Sequence, residues 1–345
     1  MRDLAKLAGV SVMTVSRALR NHPKISTNTK ERINRLAIEK GYMVNPLVAA
    51  QMASIRARKI VRYKATLGLL ISDPPEGIWK GTESVIEGVI ETCNEIGFGC
   101  DTFDLKDRSL TAKRLDKILK TRDIHGLIEA PTLMDFSNYE IDFSRLIYVS
   151  TNAGFLPQKF HRVNHDYYGN MDMLMRILYA NGYRRPGLLV ARDLDSRINH
   201  LWTSRYLAFQ QTENLGKIPP YMPDNRLAYK KSAFMTWYKE FKPDILIASS
   251  QEVYEDDFYK KAGLRIPQDI EMVKININDM KKGFSGINTN SKEVGASCVR
   301  LMAQLMYQNE YGIPEKPISI LIPGSWTSGT LCPTLDKLTF EEMNL

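Results

Sequence analysis

The chain has 345 residues, 43% hydrophobic and 25% charged, which is the composition of a globular protein of about two or three domains. No apolar run approaches the ~18 residues of a membrane helix, MRDLAKLAGV lacks the apolar stretch of a signal peptide, and Cys93, Cys100, Cys298 and Cys332 form no CxxC pair. A membrane protein, a disulfide scaffold, a cysteine zinc finger and a disordered chain are excluded, and the thiols read as reduced and cytoplasmic.

The net charge of +8 sits at one end. Residues 1–64 hold 14 Lys/Arg and three acids, a balance of +11, whereas the other 281 residues hold 33 bases and 36 acids, a balance of −3. A basic head on a near-neutral body is the electrostatic footprint of nucleic-acid binding, with a solvated basic arm as the bland alternative. The pattern inside the head decides between them. Arg2–Ala8 reads as a first helix with Leu4, Ala5 and Ala8 on one face. Gly9-Val10-Ser11 is a tight turn, and Ser11 suits the N-cap of a second helix, Val12–Arg20. There Val15, Ala18 and Leu19 recur at i, i+3 and i+4 and must face inward. Met13, Thr14, Ser16, Arg17 and Arg20 then face out. Ser26 caps a third helix, Thr27–Lys40, with Ile33, Leu36 and Ala37 inward and Gly41 closing it. Helix, glycine turn and polar-faced second helix make a helix-turn-helix, although an arbitrary three-helix bundle would show the same spacing. Val12 has no core role at the start of its helix. It can contact a thymine methyl, and Arg17 can reach guanine bidentately.

At LAKLAGVSVMTVSRAL and the third helix ending in GY, the chain resembles the lactose-repressor (LacI/GalR) family of bacterial transcription regulators over about 60 residues. Members usually carry several more residues before helix 1, including a Thr that caps it. Here Met1 stands almost at the helix, and an upstream start is an expectation. The resemblance implies DNA contacts from Ser11, Val12, Met13, Thr14, Ser16, Arg17, Asn21 and Ser26. Next comes Met43–Ala53, where Asn45 can cap and Pro46 can open a helix of about nine residues, too short to be stable alone. A loose linker is the plain reading. The resemblance implies a hinge helix that pairs with its dimer mate in the minor groove through Asn45, Ala49, Ala50, Gln51 and Met52. Members usually place Leu where Gln51 stands.

From residue 65, strand and helix patterns alternate. The expected strands are Thr66–Ser72, Phe98–Phe103, His125–Ala130, Leu146–Ser150, Pro186–Ala191, Asp244–Ala248, Ile270–Ile277 and Ile318–Ile322. The expected helices are Val85–Ile96, Leu110–Lys120, Tyr168–Asn181, Trp202–Asn214 and Lys292–Tyr307. This alternation implies doubly wound parallel sheets, two of them at this length, with ligands at the carboxyl ends of strands. HGLIEAP, the Asp166-x-x-Gly169 segment, NGYRRPGLLV, AGLRIPQDIEMV, NTNSKEVGASCVRLM and PGSWTSGT resemble the family's effector domain, which has the periplasmic-binding-protein fold. The expected organisation is a head at 1–44, a hinge and linker at 45–64 and an effector and dimerisation body at 65–345. In the body, one subdomain takes about 65–164 and 292–324, the other about 165–291 and 325–345.

Strand-end position makes Ser72, Asp73, Trp79, Asp195 and Arg197 candidate effector contacts. Arg197 matches an arginine that family members use on effector hydroxyls, and a fixed fork of donors suits a sugar or an anion. After the Asp244–Ala248 strand, members often have Asn-Asp. This chain has Ser249-Ser250-Gln251-Glu252, which puts ordinary sugar binding in question.

The chain has no GxGxxG, Walker, HExxH or GxSxG motif. His161 and His165 would share a face only in a helix, and their segment reads as loop into strand. Asp256-Asp257 reads as a solvated face. No catalytic residue, cofactor or metal site is expected. The reading is a homodimeric, effector-controlled regulator, a repressor, that binds double-stranded DNA at a palindromic operator. Its rivals are a transporter's solute-binding protein and an α/β enzyme with an accessory DNA-binding head.

Overall fold

The computed structural model describes residues 2–18, 25–39, 65–72, 80–131, 141–152, 160–225, 228–249, 259, 262–277, 283–329, 332 and 334–335. The chain divides into two units, Met1–Arg62 and Tyr63–Leu345.

The first unit contains α1 (Arg2–Leu7), α2 (Val12–Ala18) and α3 (Thr27–Glu39). Its core is small: Leu4, Ala5 and Ala8 meet Val15 and Ala18 of α2 and Ile33 and Ala37 of α3, all buried. Alanines let three short helices approach closely where larger side chains would hold them apart. Gly9, at φ +60°, ends α1. The N–H of Val10 reaches back to the Ala5 carbonyl at 3.0 Å, and that of Gly9 to Lys6 at 3.2 Å, a glycine-dependent helix stop. Arg32 of α3 donates to the Ala8 carbonyl at 3.0 Å, satisfying an acceptor that the stop leaves open. Leu19, Arg20 and the expected hinge helix lie outside the described residues.

The second unit builds two sheets. The first is made of β1 (Thr66–Ile71), β2 (Gly99–Asp104), β3 (Gly126–Glu129), β4 (Ile147–Ser150), β5 (His161–His165) and β10 (Ser319–Ile322), in the order β10-β5-β4-β3-β1-β2. All its pairings are parallel. The helices α4 (Lys80–Ile96) and α10 (Ser291–Gln308) cover one face. There Val85, Val89, Cys93, Val294, Cys298, Met302 and Leu305 pack on Leu67, Leu69, Ile128, Ile147 and Val149. The other face is covered by α5 (Ala112–Thr121), with Leu115 and Leu119 against Leu70, Leu127 and Tyr148.

The second sheet has β6 (Pro186–Leu189), β7 (Ile245–Ala248), β8 (Glu271–Ile277), β9 (Ser285–Asn288) and β11 (Ser325–Thr327), in the order β11-β9-β8-β7-β6. It lies between α6 (Tyr167–Ala180) with α8 (Leu201–Thr212) on one side and α9 (Lys231–Phe241) on the other. A six-residue helix, α7 (Arg192–Arg197), follows β6.

The chain passes between the sheets three times, after His165, after Asn288 and after Ile322. This explains the one departure from an all-parallel arrangement, the antiparallel pairing of β11 with β9. β9 ends at a crossing and β11 begins at one, so side by side they must run in opposite directions. β5 and β10 both end at a crossing and are therefore parallel, with Ile322 opposite His165.

Among the described residues, no helix is long and apolar enough to cross a membrane.

Candidate nucleic-acid interface and ligand crevice

In the head, the second helix is fixed by its cap. The Ser11 Oγ accepts from the Thr14 N–H at 3.1 Å and also meets the Thr14 hydroxyl at 2.9 Å. Ser26 repeats the arrangement at the start of α3, with Thr29 N–H at 3.4 Å. With Val15 and Ala18 facing the core, α2 turns outward Val12, 42% exposed, Met13, 62% exposed, and Arg17. Two exposed apolar side chains and a guanidinium on one helix are groups that suit the methyl groups and acceptors of a major groove. Thr14 is half-buried. Ser16 lies on α2, but its side chain, like Asn21, Asn45, Ala49, Ala50, Gln51 and Met52, lies outside the described set.

In the body, Ser72 is buried at the carboxyl end of β1, and Asp73 and Trp79 lie outside the described residues. Asp195 is fully buried in α7. Its carboxylate accepts from His200 Nδ1 at 2.9 Å and from the Thr203 hydroxyl at 2.7 Å and N–H at 3.4 Å. Because His200 offers no side-chain cap of its own to α8, Asp195 caps that helix from six residues upstream, and the hydrogen bonds commit both of its oxygens to the protein. Arg197 lies 3.7 Å from Asp193, one turn earlier on α7. Ser249 donates to the Leu189 carbonyl at 2.9 Å, joining β7 to β6.

Sequence reasoning passed over a polar cluster at the ends of β3 and β4. Glu129 is fully buried and accepts from the Ser150 hydroxyl at 2.7 Å, while the Thr151 hydroxyl donates to the Glu129 carbonyl at 2.9 Å. The signal was present in HGLIEAP, where an acid closes an otherwise apolar strand.

The three crossings are tied together. His165 Nδ1 donates to the Thr289 carbonyl at 2.9 Å, Asp166 N–H to Ile322 at 2.9 Å, Asn290 Nδ2 to Pro323 at 2.9 Å and Gly324 N–H to Asn170 at 2.7 Å. Burial pushes the His165 imidazole down to about 4, and it also lowers His161. His161 Nδ1 accepts from the Ile318 N–H at 3.1 Å. Four residues apart on a strand, these histidines are separated by about 13 Å and cannot share a metal ion. Among the described residues, no cluster of three His, Cys, Asp or Glu could hold one. A groove of about 570 Å³ between α4 and α10 has ion-paired walls, Lys292 with Glu91 at 2.8 Å and Arg300 with Glu293 at 2.5 Å.

The head is a helix-turn-helix, and the body is two α/β sheets joined by three crossings. Residues 1–45 match the family described as bacterial regulatory proteins, lacI family. The HTH-type transcriptional regulator MalR of Streptococcus pneumoniae serotype 4 is 27% identical over 131 residues, 37% of this chain and 37% of its own length. The match thus spans little more than a third of that relative. Among solved structures, the transcriptional regulator CelR–cellobiose complex has a TM-score of 0.59 at 17% identity, covering 95% of this chain and 98% of that one. The lac repressor dimer bound to operator and the anti-inducer ONPF has a TM-score of 0.55 at 15% identity, covering 95% and 97%. At these identities the structures speak for the fold. Residues 1–45 thus match the lacI family by sequence, and the body shares the fold of these structures.

Proposed function

We propose that this protein is a sequence-specific, DNA-binding transcription regulator, a repressor, that acts as a homodimer on a palindromic operator under control of a small-molecule effector. The observation that carries the reading is the outward face of α2, Val12, Met13 and Arg17, held by the Ser11 cap in a head of charge balance +11. The effector, sugar-like or a related metabolite, binds at the carboxyl ends of strands in both sheets, with Ser72 on one side and Arg197 on the other. An effector with unequal affinity for two closure states of the sheets shifts the population between them. The segment 45–53, too short for a stable isolated helix, is the element that the shift biases. No catalytic step belongs to this reading.

Selection of bound duplexes from a random pool by the full chain tests it, the expected outcome being one palindromic consensus. Arg17→Ala is expected to lose about 1–3 kcal/mol on that site and much less on random DNA. Equal losses on both would make Arg17 a phosphate contact. A thermal-shift panel of sugars and related metabolites identifies the effector, and Arg197→Ala is expected to lose the shift while keeping DNA binding.

A further inference from the structure

Cys93 lies in the last turn of α4 and Cys100 near the start of β2, an edge strand of the first sheet. Cys93 is fully buried in the core beneath α4 and α10. Cys100 packs at its margin, half-exposed. The turn between them brings them together. The N–H groups of Gly97 and Phe98 both donate to the Cys93 carbonyl, at 2.9 and 2.8 Å, folding the chain back, and the β1–β2 register then sets Cys100 beside Leu67. Both side chains enter the same cluster beneath α4 and α10. The neighbouring Cys100 thiol, with burial added, pushes Cys93 up, and the neighbouring Cys93 thiol lowers Cys100. Cys298, by contrast, is fully buried and its thiol is pushed up by burial.

We propose that Cys93 and Cys100 form an oxidation site, at which a hydroperoxide closes the pair to a disulfide that ties α4 to β2. Cys100, the thiol that reaches solvent, reacts as the thiolate. Its sulfur attacks a peroxide oxygen, the O–O bond breaks, and a sulfenic acid and one water (or alcohol) result once the leaving oxygen takes a proton. The Cys93 sulfur then attacks the sulfenyl sulfur, the S–O bond breaks, and a second water leaves with the Cys93 proton. Two thiols lose two electrons and two protons, and the peroxide takes up both.

The new bond acts on a helix with no slack. A Cβ on Gly88 of α4 would stand 2.0 Å from the Lys292 carbonyl oxygen, and one on Gly295 of α10 would stand 2.0 Å from that of Val85. The two helices are in backbone contact, so a shift of α4 displaces α10, which starts three residues after β9 ends at the second crossing. Oxidation is thereby relayed to the segment that joins the two sheets. None of this depends on the DNA-binding reading.

The test uses the full chain exposed to hydrogen peroxide, then alkylated after denaturation and digested with trypsin. No Lys or Arg lies between Gly81 and Leu105, so both thiols fall in one peptide ending at Lys106. The expected result is loss of two hydrogens and of both alkyl groups from that peptide, reversed by dithiothreitol, with Cys298 and Cys332 still alkylated. Cys93→Ala is expected to leave Cys100 as a sulfenic acid that dimedone traps. In the wild type, amide exchange at the start of α10 is expected to change on oxidation and return on reduction. Cys100 left reduced, carried on to sulfinic acid, or linked to a second copy on a non-reducing gel would overturn the site. A disulfide with unaltered exchange in α10 would overturn the relay.

Discussion

The head and the body solve opposite folding problems. The head's reach is short: among the described residues its longest side-chain link, Arg32 to Ala8, spans 24 positions, and Ser11, Gly9 and Ser26 write its helix starts and stops into adjacent residues. The body's first sheet instead joins Arg162 to Ser319 across 157 positions, and a chain that crosses three times lets each sheet close only after most of the body is made. The head also carries the charge, +11 against −3. A unit whose structure is local and whose surface is basic can be appended to a body as a self-contained address reader. The body's interleaved sheets suit it to couple a ligand to a movement.

The largest expected effect tests whether that division of charge is functional. If about 6–10 phosphates are contacted, operator affinity of the full chain is expected to fall about 10³–10⁵-fold between 50 and 200 mM salt, as condensed counterions cease to drive binding. Residues 65–345 alone are expected to show no operator binding at any of these salt concentrations. A nearly flat response of the full chain, measured by gel shift, removes the head's role.

A second prediction concerns the body alone. The His165 imidazole is held near 4 in the folded body, against an ordinary value of 6.5, chiefly by burial, with the Thr289 hydrogen bond opposing. As pH falls, the unfolded chain takes up this proton first. The stability associated with the neutral ring is therefore intact above about 6.5 and is lost as pH drops toward 4. Between pH 7.5 and 4.5 this amounts to roughly 2–3 kcal/mol. His165→Asn, which keeps a donor for Thr289, is expected to remove that part of the pH dependence in urea titrations of the body. An unchanged slope would mean that the ring is already charged in the folded state.

The same contrast governs what was legible in the sequence. Helical spacing assigns Val15 and Ala18 inward and Met13 and Arg17 outward without further information, because one turn determines the next. The alternation of the body gave its fold class. It gave β5 only as a loop running into strand, because HRVNH has one apolar residue: His161 is accommodated in the sheet by the N–H of Ile318, from a distant segment. α9 also escaped, although Phe234 and Trp237, three apart, face the core. At the proposed effector contacts, a strand end can be read but not the direction of the loop after it. Asp195 and Ser249 stand at such ends, and their side chains go to Thr203 and to the Leu189 carbonyl.

A third prediction sharpens the comparison at the α4–α10 contact. Gly295→Ala places a methyl on the Val85 carbonyl oxygen, and neither backbone can give way without lifting a helix off the first sheet. The expected cost is about 1–3 kcal/mol or more, read as a lower midpoint for the body with the head's own transition unmoved. A tolerated alanine would show that the two helices are free to separate, and would remove the mechanical link between α4 and the second crossing.

The smallest effect belongs to the head and separates its two caps. Ser11 and Ser26 have the same chemistry, each with a threonine three residues on, but Ser11 holds its N–H at 3.1 Å and Ser26 at 3.4 Å. The shorter bond begins a helix of seven residues, which has little else to hold it, and the longer one begins a helix of 13. Ser11→Ala is therefore expected to cost the head about 1 kcal/mol and Ser26→Ala less. In so small a cooperative unit, 1 kcal/mol lowers the midpoint by several degrees, so circular dichroism of the isolated head can resolve the difference. Ser11→Ala should also weaken operator binding, because the residues proposed to face the groove, Val12 and Met13, are the first two of α2 and depend on that cap for their direction. Equal costs for the two substitutions, with DNA affinity unchanged, would mean that α2 is positioned by its core contacts, Val15 and Ala18, rather than by its cap.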